Sequence, residues 1–189
     1  RMWVADLDGV LFSSTDGAEW SLATDAAPWR GRWQAGAAVL HDRMWVMGGG
    51  TEGAYLNDVW SSDDGVRWTR ELEHAPWSPR LIHNTPLVLD GKMWLIGGAA
   101  MGDYYPFRPY TDVWCSPDGR DWARVTDDAP WAGRIWGSTA VYKDRLWLLA
   151  GFRSEPVWEN LGDVWYSIDG ARWRQLEFPA TCRHGGGCN

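Results

Sequence analysis

One eleven-residue pattern is repeated along this chain and limits what it can fold into. Residues 112 to 122 read Asp-Val-Trp-Cys-Ser-Pro-Asp-Gly-Arg-Asp-Trp. The same spacing recurs at 58 to 68 (Asp58, Val59, Trp60, Ser62, Asp64, Gly65, Trp68) and at 163 to 173 (Asp163, Val164, Trp165, Ser167, Asp169, Gly170, Trp173). A worn copy opens the chain with Phe12, Ser14, Asp16, Gly17 and Trp20. A β-branched and aromatic run, an Asp-Gly pair and a further aromatic is the pattern of two antiparallel strands joined by a tight turn. Glycine supplies the positive φ of such a turn, and the Asp carboxylate accepts from nearby backbone amides. A lone hairpin cannot bury its last Trp, so each copy is expected to pack on a neighbouring one.

Each hairpin is preceded by a short apolar run: Met2-Trp3-Val4, Met44-Trp45-Val46-Met47, Met93-Trp94-Leu95-Ile96 and Leu146-Trp147-Leu148-Leu149. Runs apolar at consecutive positions suit strands covered on both faces. A further strand is expected before each of the last three, over residues 33 to 40, 82 to 89 and 135 to 142. One repeat is then four strands, A to D. The hairpin tryptophans set the period: 20 to 68 is 48 residues, 68 to 122 is 54 and 122 to 173 is 51. Strand A carries small residues at its middle, such as Gly36, Ala37 and Ala38, or Gly137, Ser138 and Thr139, as an innermost strand along a narrow axis requires.

A period near 50, four strands per repeat and a glycine pair after the second strand (Gly48-Gly49, Gly97-Gly98) resemble the kelch repeat of β-propellers. Ala150-Gly151 replaces the pair in the last repeat and Ala5-Asp6 in the first. The Ser-x-Asp-Gly-x-x-Trp turn also resembles a shortened Asp-box, the hairpin signature of sialidase-type propellers. The resemblance implies one all-β domain over 1–189, a kelch-type β-propeller of four four-stranded blades. The blades fall at about 1–27 plus 181–189, 28–75, 76–129 and 130–178, the C-terminal strand closing blade one. A fragment of a larger propeller, or two copies completing one ring, is the alternative.

With 189 residues, 45% of them hydrophobic, the chain is long enough for one sizeable core. A net charge of −7 argues against nucleic-acid binding, which draws on clustered Lys and Arg. No apolar run approaches a membrane span. Cys115, Cys182 and Cys188 form neither a disulfide framework nor a zinc pattern. Cys182 and Cys188 bracket a glycine run that could bring them together, and free thiols are the simpler reading. The chain opens at Arg1 without a signal peptide, as a processed product or part of something longer would. The compartment stays open, with a secreted or periplasmic one favoured.

Function is sought where the repeats differ. In a four-stranded meander the Asp-Gly hairpins lie at one end and the B–C and D–A connections at the other. The B–C connections are expected as loops over 50–57, 99–111 and 152–162. The second holds Tyr104, Tyr105 and Phe107, the third Phe152, Arg153 and Trp158. Each D–A connection places an Arg three residues after an Ala-Pro-Trp: Arg32, Arg80 and Arg134, with Arg183 at the same place in the fourth. Four such arginines would ring the axis. They either pair with a neighbouring acid such as Asp25, Glu73 or Asp127, or stack on a repeat Trp, or else form an anion site suited to a carboxylate. Trp29, Trp77 and Trp131 recur and are expected to plug the gaps between blades. Trp33, Trp136 and Trp158 do not recur in all blades and are better ligand candidates. The expected contacts are Arg32, Arg80, Arg134, Arg183, Tyr104, Tyr105, Phe107 and Trp158, in a non-catalytic module that binds a protein segment or an acidic glycan. No metal, cofactor, nucleic acid or membrane span is called for, and an oligomer or larger complex stays open. The alternatives are an enzyme acting on acidic sugars, sialidase- or epimerase-like as the resemblance implies, and an architectural subunit of a larger assembly.

Overall fold

The computed structural model describes residues 1–101, 107–154 and 156–177, and over them the secondary structure is strands and turns. No helix among these residues is long and apolar enough to cross a membrane. The first sheet runs β1 (Met2–Ala5), β2 (Leu11–Ser14), β3 (Ser21–Thr24). The second repeat supplies β4 (Gly36–Leu40), β5 (Arg43–Met47), a small ribbon of β6 (Gly50–Thr51) and β7 (Ala54–Tyr55), then β8 (Val59–Ser62) and β9 (Thr69–Leu72). The third supplies β10 (Leu87–Leu89), β11 (Lys92–Ile96), the ribbon β12 (Ala99–Met101) and β13 (Phe107–Pro109), β14 (Val113–Ser116) and β15 (Ala123–Thr126). The fourth is β16 (Ser138–Val141), β17 (Leu146–Arg153), β18 (Glu159–Ser167) and β19 (Arg174–Gln175).

The sheets pair in the orders β1-β2-β3, β4-β5-β8-β9, β10-β11-β14-β15 and β16-β17-β18-β19, all antiparallel. These are the four-stranded meanders expected for repeats two to four. The expected closing strand of the first sheet, residues 181–189, lies outside the described residues.

Local chemistry explains both hairpin types. The A–B turns are two residues long with both φ values positive, at His41 and Asp42, Asp90 and Gly91, and Lys143 and Asp144. That backbone twist matches the twist of the flanking strands. The C–D turns are tied by their own side chains. Ser62 Oγ accepts from Gly65 N at 2.8 Å, Asp64 Oδ1 accepts from Val66 N and Arg67 N at 2.9 and 2.8 Å, and Trp68 Nε1 donates to Gly65 O at 3.2 Å. The network repeats at 116–122, at 167–173 and, in the worn copy, at 14–20. Asp169 is held down to about pKa 2, first by the Arg172 amide and further by the Arg172 side chain, the Ala171 amide and Ser167.

The core lies between sheets. One cluster joins the second and third through Leu40, Trp45, Trp77, Met93 and Trp122. Another joins the third and fourth through Leu89, Trp94, Trp131, Leu148 and Trp173. Every seam repeats two contacts. The Trp before the Arg meets the hairpin Trp of the following sheet nearly edge-on: Trp29 on Trp68 at 5.2 Å and 80°, Trp77 on Trp122 at 6.2 Å and 81°, Trp131 on Trp173 at 5.9 Å and 87°. The B-strand Trp lies flush on the next hairpin glycine. A methyl group at Gly65, Gly119 or Gly170 would sit 2.4, 2.2 or 2.3 Å from a ring carbon of Trp3, Trp45 or Trp94. The seam between the first and second sheets keeps a cleft of about 320 Å³ beside Trp3, Trp29, Trp45 and Trp68.

The B–C connections differ from the expected loops. Each is a β-ribbon that prolongs strands B and C. In the fourth repeat it is continuous with the sheet, pairing Gly151 with Leu161, Phe152 with Asn160 and Arg153 with Glu159. The glycine pair is the kink at its root. Gly48 and Gly49, Gly97 and Gly98, and Ala150 and Gly151 all have positive φ, and Ala150 bears its value of 51° without being glycine. The second member must be glycine for a further reason, since a methyl at Gly98 would sit 2.7 Å from the Leu81 carbonyl.

Candidate functional site

The kink in strand B turns one carbonyl out of the sheet, and the D–A connection delivers an Arg to it. Arg32 Nη1 donates to Gly48 O at 3.0 Å, Arg80 Nη1 to Gly97 O at 3.0 Å, and Arg134 Nη1 to Ala150 O at 2.8 Å. The same guanidiniums fork onto the Asp that opens each hairpin pattern. Arg32 reaches the two oxygens of Asp58 at 2.7 and 2.9 Å, and Arg80 those of Asp112 at 2.6 and 2.9 Å. Arg134 does the same to Asp163. Nε of each donates to a nearby carbonyl, of Trp29, Ser78 or Ala132. The Asp is shared, since its Oδ2 also accepts from Trp60, Trp114 or Trp165 Nε1 at 2.6 to 2.7 Å. Burial pushes the Asp163 carboxyl up, and the hydrogen bonds from Arg134 and Trp165 more than reverse this, leaving it below the usual carboxylate range.

For three of the ring arginines this is the pairing with an acid that the sequence reading set beside an anion site. The Arg32, Arg80 and Arg134 side chains are 6%, 0% and 1% exposed, and their donors are taken by Asp and carbonyl groups of their own repeat. Their acids are Asp58, Asp112 and Asp163, not Asp25, Glu73 or Asp127; Glu73 lies 3.7 Å from Arg70. Tyr110 covers Arg80 with its ring centroid 3.9 Å from the guanidinium carbon. The clamp ties strand B, strand C and the incoming connection together, and so fixes the root of each B–C ribbon.

The remaining candidates separate. Tyr104, Tyr105 and Arg183 lie outside the described residues, and Phe107 is placed by its backbone in β13. Trp29, Trp77 and Trp131 are buried at 5%, 1% and 2%, filling the seams as expected of recurring tryptophans. Trp158 is 66% exposed at the tip of the fourth ribbon.

Trp158 has company that the contact list derived from the sequence did not include. Phe152, on β17, meets Trp158 edge-on at 5.7 Å and lies against Trp136 at 5.8 Å with an interplanar angle of 36°. Trp136 is 57% exposed and in turn meets His83 of the third repeat at 6.3 Å. Trp136 is the second residue after the clamp Arg134, and its φ of 54° is matched by Gln34 at 51°, the second residue after Arg32. The repeat therefore imposes a left-handed backbone that a bulky side chain adopts only when its surroundings demand it. Burial lowers the His83 pKa to about 4, keeping the ring neutral beside the aromatics. Arg153, next to Phe152 on β17 and therefore on the opposite face of the ribbon, has its Nη2 2.7 Å from Glu159 and a side chain 28% exposed. The result is a ledge of aromatic rings carried by the fourth β-ribbon and the connection before its sheet.

No protein-family model matches the chain, and a search of curated proteins finds no match. Solved structures do match. One described as the structure of YjhT aligns with a TM-score of 0.67 over 92% of this chain at 18% identity. The chain spans 60% of that structure's length. At this identity the likeness carries the fold alone, and together with the stacked meanders it makes this an all-β chain of propeller type.

Proposed function

We propose that the protein is a binding module, built of kelch-like repeats, that takes a glycan on the ledge of Trp136, Phe152 and Trp158. The observation that carries this reading is the exposure of two tryptophan rings flanking a phenylalanine on the fourth ribbon, which pairs in the same sheet beyond the bulge at Ala150. Indole faces left in water on a rigid support offer a flat apolar surface with little entropy left to lose. The C–H faces of a pyranose match such a surface. The buried Arg32, Arg80 and Arg134 are committed to Asp58, Asp112 and Asp163, so recognition on the ledge rests on its ring faces. Tyr104, Tyr105 and Phe107 of the neighbouring repeat remain proposed as further contacts.

Titrating the protein with neutral oligosaccharides and with sialate- or uronate-bearing ones, followed by tryptophan fluorescence, tests the reading. Trp136→Ala and Trp158→Ala are each expected to weaken binding by about 10-fold or more, since removing a stacked aromatic costs about 1.5 kcal/mol or more. Arg153→Gln, on the opposite face of the ribbon, should leave binding of both kinds of ligand unchanged. Binding unchanged in both tryptophan variants would refute the site, and capture of a peptide in place of any sugar would move the ledge to protein recognition.

A further inference from the structure

The fourth ribbon sorts its side chains by face. Arg153 and Glu159 oppose each other across it and are bridged at 2.7 Å. Phe152 and Asn160, the next opposed pair, therefore stand on the other side, with Cβ atoms about 5 Å apart as direct cross-strand partners are. Trp158 lies on that side too, because its ring meets Phe152 edge-on at 5.7 Å. Asn160 is thus a member of the ledge face. It is exposed, and its amide makes no hydrogen bond with any other described residue.

The repeat does not call for these groups. The bridges of Trp33 to Gly50, Leu81 to Ala99 and Ile135 to Phe152 set the three ribbons in register. Gly50 and Ala99 then hold the place of Phe152, and their opposed residues Tyr55 and Pro109 hold that of Asn160. Tyr55 and Pro109 keep part of their surface in water although a further repeat follows each of them. The place of Asn160 is therefore open by its position on the ribbon, whatever packs beside the fourth sheet.

Ring faces hold one pyranose much as another, since every pyranose has an apolar face. Telling sugars apart takes hydrogen bonds to their hydroxyls, each of which both donates and accepts. A primary amide does both as well, with its NH₂ and its carbonyl side by side. On a short side chain carried by a paired strand, it has little freedom to lose on binding. Residues two apart on a strand lie about 7 Å apart, so a sugar lying on the Trp158 indole brings its hydroxyl rim to the Asn160 amide. With Arg153 and Glu159 turned to the opposite face, what the ribbon offers here is rings and an uncharged amide.

On the glycan reading of the ledge, from which this follows, we infer that Asn160 selects among sugars. Its amide bonds a pair of neighbouring hydroxyls on an uncharged pyranose stacked on Trp158.

The test is titration of the purified chain with the methyl glycosides of glucose, galactose and mannose, their single-deoxy analogues, and methyl glucuronide. Binding is followed by tryptophan fluorescence and by the side-chain amide signals in proton–nitrogen NMR spectra. The Asn160 signals are those missing from Asn160→Leu, and they should move when the best-bound glycoside is added. Asn160→Leu, with a spectrum otherwise like that of the wild type, should bind that glycoside about 3- to 10-fold more weakly, as loss of one or two hydrogen bonds in water does. One deoxy analogue should show the same loss with the wild type and no further loss with the variant. That match ties the amide to a hydroxyl, which a merely structural effect of the substitution would not do. The inference is overturned if Asn160→Leu matches the wild type on every glycoside while Trp158→Ala still weakens binding. It is also overturned if the variant loses equally on all analogues, or if the glucuronide binds more tightly than the glucoside. If no glycoside perturbs the wild type, the ledge reading itself falls and this inference goes with it.

Discussion

The Arg–Asp clamp and the aromatic ledge are built a few residues apart on the same connections, and they have opposite fates. Arg134 is sealed at 1% exposure, while Trp136, two residues on, is 57% exposed. The clamp occurs in three repeats with the same donors, acceptors and buried state, and the ledge occurs once. In a repeat protein that contrast has a physical origin. A group that every repeat needs is answering a problem that every repeat has, here an out-turned carbonyl at a strand kink. A group found in one repeat among the described residues is not one that the repeat itself requires. Chemical type alone does not separate the two, since the guanidiniums of Arg32, Arg80 and Arg134 are buried while, among the tryptophans, Trp29, Trp77 and Trp131 fill the core and Trp136 and Trp158 are exposed.

The largest effect expected from breaking the contrast is on the clamp. Arg80→Ala leaves the Asp112 carboxylate and the Gly97 carbonyl without their partner in a dry site. Urea unfolding should show a loss of about 3–5 kcal/mol. Trp158→Ala on the ledge should stay within about 0.5 kcal/mol of wild type in the same assay, whatever it does to binding. A loss below 1 kcal/mol in Arg80→Ala would show that the clamp is not structural. Next in size is a pair of glycines. Gly119→Ala meets the Trp45 ring and also carries a φ of +76°, which together should cost about 3 kcal/mol. Gly17→Ala, with a φ of +80° and only the flexible end of Met2 nearby, should cost about 1–2 kcal/mol from backbone strain. Equal losses would mean that the internal seams are as yielding as the free face.

Acid separates the two regions by pH. Asp64, Asp118, Asp163 and Asp169 have folded pKa values below their unfolded ones. Their contribution is therefore present above about pH 4 and lost as pH falls toward 2, which a series of melting curves would record. His83, lowered from 6.5 to about 4 by burial, takes up a proton more readily when unfolded. It should make stability decline earlier, between about pH 6.5 and 4, and His83→Gln should flatten that limb alone. The smallest expected change is a gain. Ala150→Gly relieves a left-handed alanine and should add about 1 kcal/mol, or about 2–4 °C in Tm.

Much of this fold was legible because its signals are local. Ser, Asp, Gly and Trp within seven residues specify the hairpin by bonds among themselves, and the Trp spacing alone gives the stacking period. The partner of each Arg was not legible, because Arg32 and Asp58 are 26 residues apart and Arg80 and Asp112 are 32 apart. A signal did exist. Arg32, Arg80 and Arg134 are each followed in the same repeat by a hairpin-opening Asp, at 58, 112 and 163, and Val10 stands in the Asp position of the first copy. Trp136 was legible as a residue that does not recur, but its contact with Phe152 depends on ribbon pairing that a stretch read as loop conceals. Arg183, Tyr104 and Tyr105 lie outside the described residues.

The edge-on tryptophan pairs have one more consequence, and it is optical. Two indoles 5.2 to 6.2 Å apart exchange excitation, so each seam should carry its own exciton couplet in circular dichroism and its own quenched emission. Deleting Trp29, Trp77 or Trp131 one at a time would assign a signal to each seam. Unfolding followed at those signals would then show whether the sheets separate together or peel from one end.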